Sequence, residues 1–130
     1  IHENPLNASL YVKNCLSTSA VIVKKELLIK YGGFDERLMS SQDYDLWLKL
    51  SPYLMLYKIN DILGEYHETG NSITAKFYFH RVFDQLLIAY RYKSYVAIHQ
   101  YYFKVFKILF SKQWFYGLKN IFFGDKSHNY

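Results

Sequence analysis

Cysteine is nearly absent from this chain. Cys15 is the single copy in 130 residues, so no intrachain disulfide can form, and a reducing compartment is the expectation. Only two prolines and six glycines interrupt it, and neither an internal repeat nor a low-complexity linker is visible. The longest apolar runs are four or five residues, far short of the ~20 that span a bilayer. The opening residues, IHENPLNASL, lack a basic-then-apolar leader and an initiator Met. The chain is therefore expected to be a piece of a longer protein. Acidic residues are scarce in the back part. Residues 76–130 hold nine Lys or Arg and two Asp or Glu, net +7, whereas residues 1–75 hold seven and nine, net −2.

What is abundant is apolar and aromatic. Hydrophobic residues make up 51% and aromatics 20%, with 14 Tyr and 10 Phe. Such a composition excludes intrinsic disorder and supplies one ordinary domain with a real core. Basic charge beside aromatics points to an anionic partner: a membrane surface, a phosphate-bearing ligand or nucleic acid. Nucleic acid is the weakest of these, because the aromatics lie in apolar helical patterns and no recognised nucleic-acid motif is present.

Local patterns predict the elements. Ser19 to Val23 is a short β-branched run and reads as a strand. Lys24 to Tyr31 reads as a helix closed by Gly32-Gly33. A second helix is expected from Ser40 or Ser41 to Leu50, ended by Pro52. Leu54 to Ile59 reads as a strand, Asn60-Asp61 as a turn, ILGEY as another short strand, and HETGNSIT as a loop. Helices are then expected over 75–93, 95–110 and 112–122. In the second, Lys93, Gln100, Lys104, Lys107 and Ser111 fall near one narrow stripe, and the rest is Tyr, Phe, Val, Ile and Leu. That wide apolar arc reads first as a helical subdomain packed on protein. Its sharper alternative is an interfacial face with basic anchors.

Asp43 leads the face that Leu46, Trp47 and Leu50 continue, at i, i+3, i+4 and i+7. Two readings compete for it. Ser40-Ser41-Gln42-Asp43 fits the S-x-x-[DE] capping box, and Asp43 and Asp45 would both suit the positive start of a helix. Alternatively, a carboxylate at a helix start after a Gly-rich loop can face a cleft and accept a proton from an attacking hydroxyl. Asp45, two residues on, points elsewhere and reads as a helix-start charge. Trp47 reads as core.

The ordered string tips the balance. Asn14, the small-residue run Thr18-Ser19-Ala20-Val21, Lys24-Lys25-Glu26, Gly32 to Glu36 (GGFDE) and Gln42 to Leu50 (QDYDLWLKL) follow one another. In order and spacing they resemble the C-terminal half of the catalytic domain of family-two glycosyltransferases, which have the GT-A fold. The resemblance covers about residues 10–75. It implies that Asp43 is the general base for an inverting displacement, deprotonating an acceptor hydroxyl that attacks the anomeric carbon of a nucleotide sugar. Gln42 stands where many relatives have Glu, and its amide still offers hydrogen bonds. Gly33, Phe34 and Asp35 are implied to shape the sugar and acceptor cleft. Their plainer roles are helix termination, core packing and turn capping.

Two departures matter. Where many relatives carry Y-R-x-H, this chain has Tyr66-His67-Glu68-Thr69, with Thr69 at the His position and His67 at the Arg position. The only D-x-D is Asp43-Tyr44-Asp45, which opens a helix, so no metal-binding acidic motif precedes Asn14.

The resulting expectation is an α/β fragment. Residues 1–74 would form the C-terminal part of a GT-A domain, and 75–130 a helical, aromatic-rich extension. The full-length enzyme would use a nucleotide-sugar donor, a glycan or lipid-linked acceptor, and Mg²⁺ or Mn²⁺ held mostly by residues outside this chain. It would serve surface polysaccharide synthesis from the cytoplasm, at the inner face of the cell membrane, with peripheral contact through residues 76–126. The chain alone would not transfer sugar. The competing class is a noncatalytic module that docks on a membrane or partner through its basic aromatic helices.

Overall fold

The structure is a computed structural model, and it describes residues 8–65, 78–112, 114, 115, 118 and 119. Five α-helices carry the described chain: α1 (Ala8–Val12), α2 (Lys25–Lys30), α3 (Gln42–Leu50), α4 (Tyr78–Arg91) and α5 (Ile98–Leu109). Single 3₁₀ turns lie at Thr18–Ala20, Ser51–Tyr53 and Lys93–Tyr95. The α/β expectation is overturned, because the described residues are 61% helix and contain no strand and no sheet.

The reason lies in pairing rather than torsion. Val21 (φ −117°, ψ 132°) and Leu54 (φ −118°, ψ 142°) both have extended backbones, as their residue types favour. Yet a strand is stable only when a neighbour completes its ladder. Thr18–Ala20, where a strand was expected to begin, is a 3₁₀ turn. The LMLYKI segment has no ladder partner among the described residues and leaves Met55, Leu56, Tyr57 and Ile59 exposed. ILGEY is likewise irregular as far as Glu65. Its Tyr66, the loop around His67 and Thr69, and the start of the expected 75–93 helix lie outside the described residues, as does part of the 112–122 helix.

The helical expectations fare differently. The helix expected over Lys24 to Tyr31 is α2 (Lys25–Lys30), terminated as its glycine pair predicts. Gly32 (φ +78°) and Gly33 (φ +60°) adopt left-handed backbones. Gly33 N–H donates to Leu28 C=O at 2.8 Å and Gly32 N–H to Ile29 C=O at 3.2 Å, the paired bonds of a Schellman motif. After α3, Pro52 sits in the first turn of the 3₁₀ segment, and the chain leaves extended at Leu54.

α3 is the centre of the molecule. Tyr44 to Leu48 and Leu50 are all buried, so it is enclosed on every side rather than along one stripe. Around it gather Leu10 and Tyr11 of α1, Leu38, Val82, Ile88 and Ala89 of α4, Tyr92, and Ile108 of α5. Helix α5 packs on both α4 and α1. Residues from both sides of position 75 thus share one core.

Three tyrosines pin these helices through their hydroxyls. Tyr44 donates to Tyr11 C=O, Tyr11 to Ala89 C=O at 2.8 Å, and Tyr92 to Asp45 C=O at 3.3 Å. Each ring fills core volume while its polar tip is satisfied. Burial pushes the Tyr11 hydroxyl up to about 12 and raises those of Tyr44 and Tyr92 further.

α5 reverses the expected orientation of its two faces. Lys104 and Ile108 are buried, and Gln100, Tyr101, Val105 and Ser111 are half-buried, while Tyr102, Phe103, Phe106 and Phe110 are exposed. Gln100, Lys104 and Ser111 of the polar stripe thus turn inward, Lys93 and Lys107 stay exposed, and these aromatics face out. The reading that made the aromatic arc a packed face does not hold for those four residues.

Candidate functional site

The site begins with what Asp43 does not do. A capping box would tie its carboxylate to the Ser40 N–H. Instead Asp84 of α4 takes that group: its Oδ2 accepts the Ser40 N–H at 2.7 Å and the Ser40 hydroxyl at 3.0 Å. The residue preceding α3 is Ser41, whose side chain makes no cap bond and whose φ is +57°. It is the one described non-glycine residue with positive φ, a conformation that costs about 1–2 kcal/mol. That left-handed turn aims the first turn of α3 into a cleft.

The cleft is open, of about 800 Å³. Asn14, Thr18, Phe34, Gln42 and Asp43 line it, together with Met39, Ser40, Ser41 and Tyr44. Thr18 Oγ1 donates to Asp43 Oδ2 at 2.9 Å, and Tyr44 N–H to Asp43 Oδ1 at 2.8 Å. Each carboxylate oxygen keeps a further lone pair for a ligand. Gln42 anchors its amide on Leu38 C=O at 2.6 Å, which leaves its carbonyl oxygen without a protein partner among the described residues. Phe34 is 45% exposed at the cleft edge.

Gly33 and Asp35 stand apart from this lining. Gly33 ends α2, and its carbonyl accepts from Lys49 Nζ at 3.0 Å. Asp35 is held by Arg37 (Nε 2.9 Å, Nη2 2.9 Å) and by Arg91 (Nη2 2.9 Å). The Arg37 side-chain hydrogen bonds, opposed by burial and aided by the Arg37 N–H and by Arg91, hold its carboxyl well below the usual carboxylate range. Of the five expected site residues, Asp43, Gln42 and Phe34 therefore meet in the cleft, and Gly33 and Asp35 brace the scaffold behind it.

Asp45 is the residue that sequence reasoning undervalued. It is fully buried, and Arg91 Nη1 meets its Oδ1 at 2.6 Å. Its Oδ2 has no hydrogen-bond partner among the described residues and lies 4.0 Å from Lys49 Nζ. Nothing in local spacing signals this, because the counter-charge arrives from position 91.

Four cations also reach the cleft: Lys13, Arg81, Lys104 and Lys107. Asp43 is the one carboxylate in its lining among the described residues. Lys104 is 7% exposed, and its Nζ lies 3.4 Å from Val12 C=O and 4.6 Å from the Tyr44 ring centroid. Burial, with Lys107 nearby, lowers its ammonium to about 8. The scarcity of acidic residues after position 75 was the legible trace of three of these four cations.

A single carboxylate among four cations does not fit a divalent metal, which takes several oxygen ligands. No group of three or more His, Cys, Asp or Glu among the described residues could hold one. His67, at the Arg position of the Y-R-x-H pattern, lies outside those residues. Comparison with protein families, with curated proteins and with solved structures returns no match.

Proposed function

We propose that this chain is the acceptor side of an inverting glycosyltransferase of the family-two type, with Asp43 as general base. One observation carries the reading: Asn14, Thr18, Phe34, Gln42 and Asp43, drawn from separate parts of the matched string, line one cleft. The helical architecture lends it no support, so it rests on the motif order and this convergence. In the proposed step the acceptor hydroxyl gives its proton to Asp43 as its oxygen bonds to the anomeric carbon. The bond from that carbon to the donor's diphosphate breaks, and the nucleoside diphosphate leaves with the electron pair. Thr18 holds the carboxylate in place, and the Gln42 carbonyl is available to position the acceptor. The nucleotide-sugar donor, and any Mg²⁺ or Mn²⁺ that assists it, would be held by residues outside this chain, at the cytoplasmic face of a membrane.

The test is sugar transfer by the full-length protein carrying Asp43→Asn. Loss of a general base lowers turnover by about 10²–10⁴-fold, and unchanged turnover removes Asp43 from the reaction. The 130-residue chain alone should show no transfer.

A second reading is favoured by a separate observation. Tyr102, Phe103, Phe106 and Phe110 are exposed along α5, with Lys107 Nζ 5.6 Å from the Phe103 ring centroid. An outward aromatic face with basic residues suits peripheral contact with an anionic membrane. No helix among the described residues is long and apolar enough to cross one. Sedimentation with anionic vesicles at low salt tests the contact, and absence of binding excludes it.

A further inference from the structure

We propose that the cleft beside Asp43 seats the phosphate or diphosphate group of an acceptor, gripped by Lys13, Arg81, Lys104 and Lys107. The acceptor assignment rests on the transferase reading above; the anion site itself does not.

The argument starts from the charges. None of the four cations is ion-paired among the described residues, whereas Arg37, Lys49 and Arg91 all have carboxylate partners. Charged side chains are seldom buried without a counter-ion. Lys104 breaks that rule, with a carbonyl and a ring face as its neighbours and no carboxylate within pairing distance among the described residues. Its Nζ has three donors and the carbonyl accepts one. With Lys104 protonated, the lining carries four positive charges and one negative. Phosphate and diphosphate esters supply the missing charge and enough acceptor oxygens for several donors at once.

The direction of the reaction decides which phosphate is meant. In an inverting displacement the attacking hydroxyl and the departing diphosphate lie on opposite sides of the anomeric carbon. Cations grouped beside the base therefore serve the molecule that brings the hydroxyl. That molecule is either a lipid with a phosphate headgroup or a soluble phosphate ester, and the recognition chemistry is the same.

Titration calorimetry on the 130-residue chain at low salt tests this, with farnesyl diphosphate, inorganic diphosphate and uridine diphosphate as probes. One equivalent of farnesyl or inorganic diphosphate should bind. The double variant Arg81→Gln, Lys107→Gln should weaken that binding at least fivefold. Lys104→Met should do the same, and the double variant, placed at less buried positions, covers the case in which it fails to fold. Lys93→Gln, a control cation outside the cleft, should stay within twofold of the parent. A farnesyl diphosphate affinity tenfold above that of inorganic diphosphate identifies the lipid source, and equal affinities identify a soluble ester. Absence of binding overturns the proposal, as does equal weakening by Lys93→Gln. Uridine diphosphate binding tighter than both other probes, and lost in the double variant, overturns the acceptor assignment.

Asp43→Asn distinguishes this proposal from the transferase reading. It should bind diphosphate as tightly as the parent or more tightly, whether or not turnover falls. Retained turnover in that variant sinks the transferase reading and leaves the anion site standing.

Discussion

Arg91 reaches from the last turn of α4 to place Nη1 2.6 Å from Oδ1 of Asp45, a residue with no exposed surface. Its other terminal nitrogen meets Asp35 at 2.9 Å. One guanidinium thus ties the loop after α2, the central helix α3 and α4 together. Removing one partner of a buried pair strands the other charge, at a typical cost of 3–5 kcal/mol. Arg91 is partly exposed, so Arg91→Met should cost about 3 kcal/mol, read as a fall in urea midpoint. Asp45→Asn in the Arg91→Met background should recover part of that loss, because the stranded charge is gone.

Thr18 holds Asp43 without sharing its chemistry. Thr18→Val keeps the side-chain shape and removes the hydroxyl donor. If Asp43 is the general base proposed above, sugar transfer should fall about tenfold, and stability should change by less than ~1 kcal/mol, as for a single exposed hydrogen bond. Thr18→Ser should restore the rate. Full activity in the valine variant would show that the 2.9 Å bond does not orient the carboxylate.

Gly32 tests the close of α2. A Cβ there would meet nothing within 4 Å, so its cost is confined to the backbone at φ +78°. Gly32→Ala should destabilise by about 1–2 kcal/mol, measured by thermal melting. A neutral result would mean that the Schellman turn relaxes freely.

Alkaline stability should pass through a maximum. The ammonium of Lys104 sits at about 8 in the folded chain and at 10.5 when free. The unfolded state therefore binds more protons between these values, and stability rises with pH there, by on the order of 2–3 kcal/mol. Tyr11, Tyr44 and Tyr92 act in the opposite sense. Their hydroxyls are raised from 10.0 in the folded state, so the stability they contribute is complete below pH 10 and is lost above it. Urea midpoints should climb from pH 8 to about 10 and then fall. Lys104→Met should abolish the climb and keep the fall.

The aromatic face of α5 separates function from stability. Phe106 is 57% exposed, so Phe106→Ser should change stability by no more than about 0.5 kcal/mol. If that face meets lipid, the same change should reduce sedimentation with anionic vesicles several-fold. Unaltered sedimentation would remove Phe106 from the contact.

Local chemistry made much of this protein legible. The left-handed turn at Gly32-Gly33, the helix over Gln42–Leu50 and the two long helices of the back part follow from glycine freedom, apolar periodicity and proline placement. The meeting of Gln42 and Asp43 on one cleft was within reach too, because they are adjacent on α3. Extended torsions at Val21 and Leu54 were also legible. Whether those segments become strands was not, because a ladder needs a partner that sequence alone does not name.

The rest was decided by distant contacts. Asp84 relieves Asp43 of capping from 41 positions away, and Arg91 turns Asp45 from a helix-start charge into a buried anchor. Lys104 joins the cleft because α5 packs on α1 with Lys104 turned inward. In each case one partner sets the role of the other, and the two are brought together only when the helices close around α3.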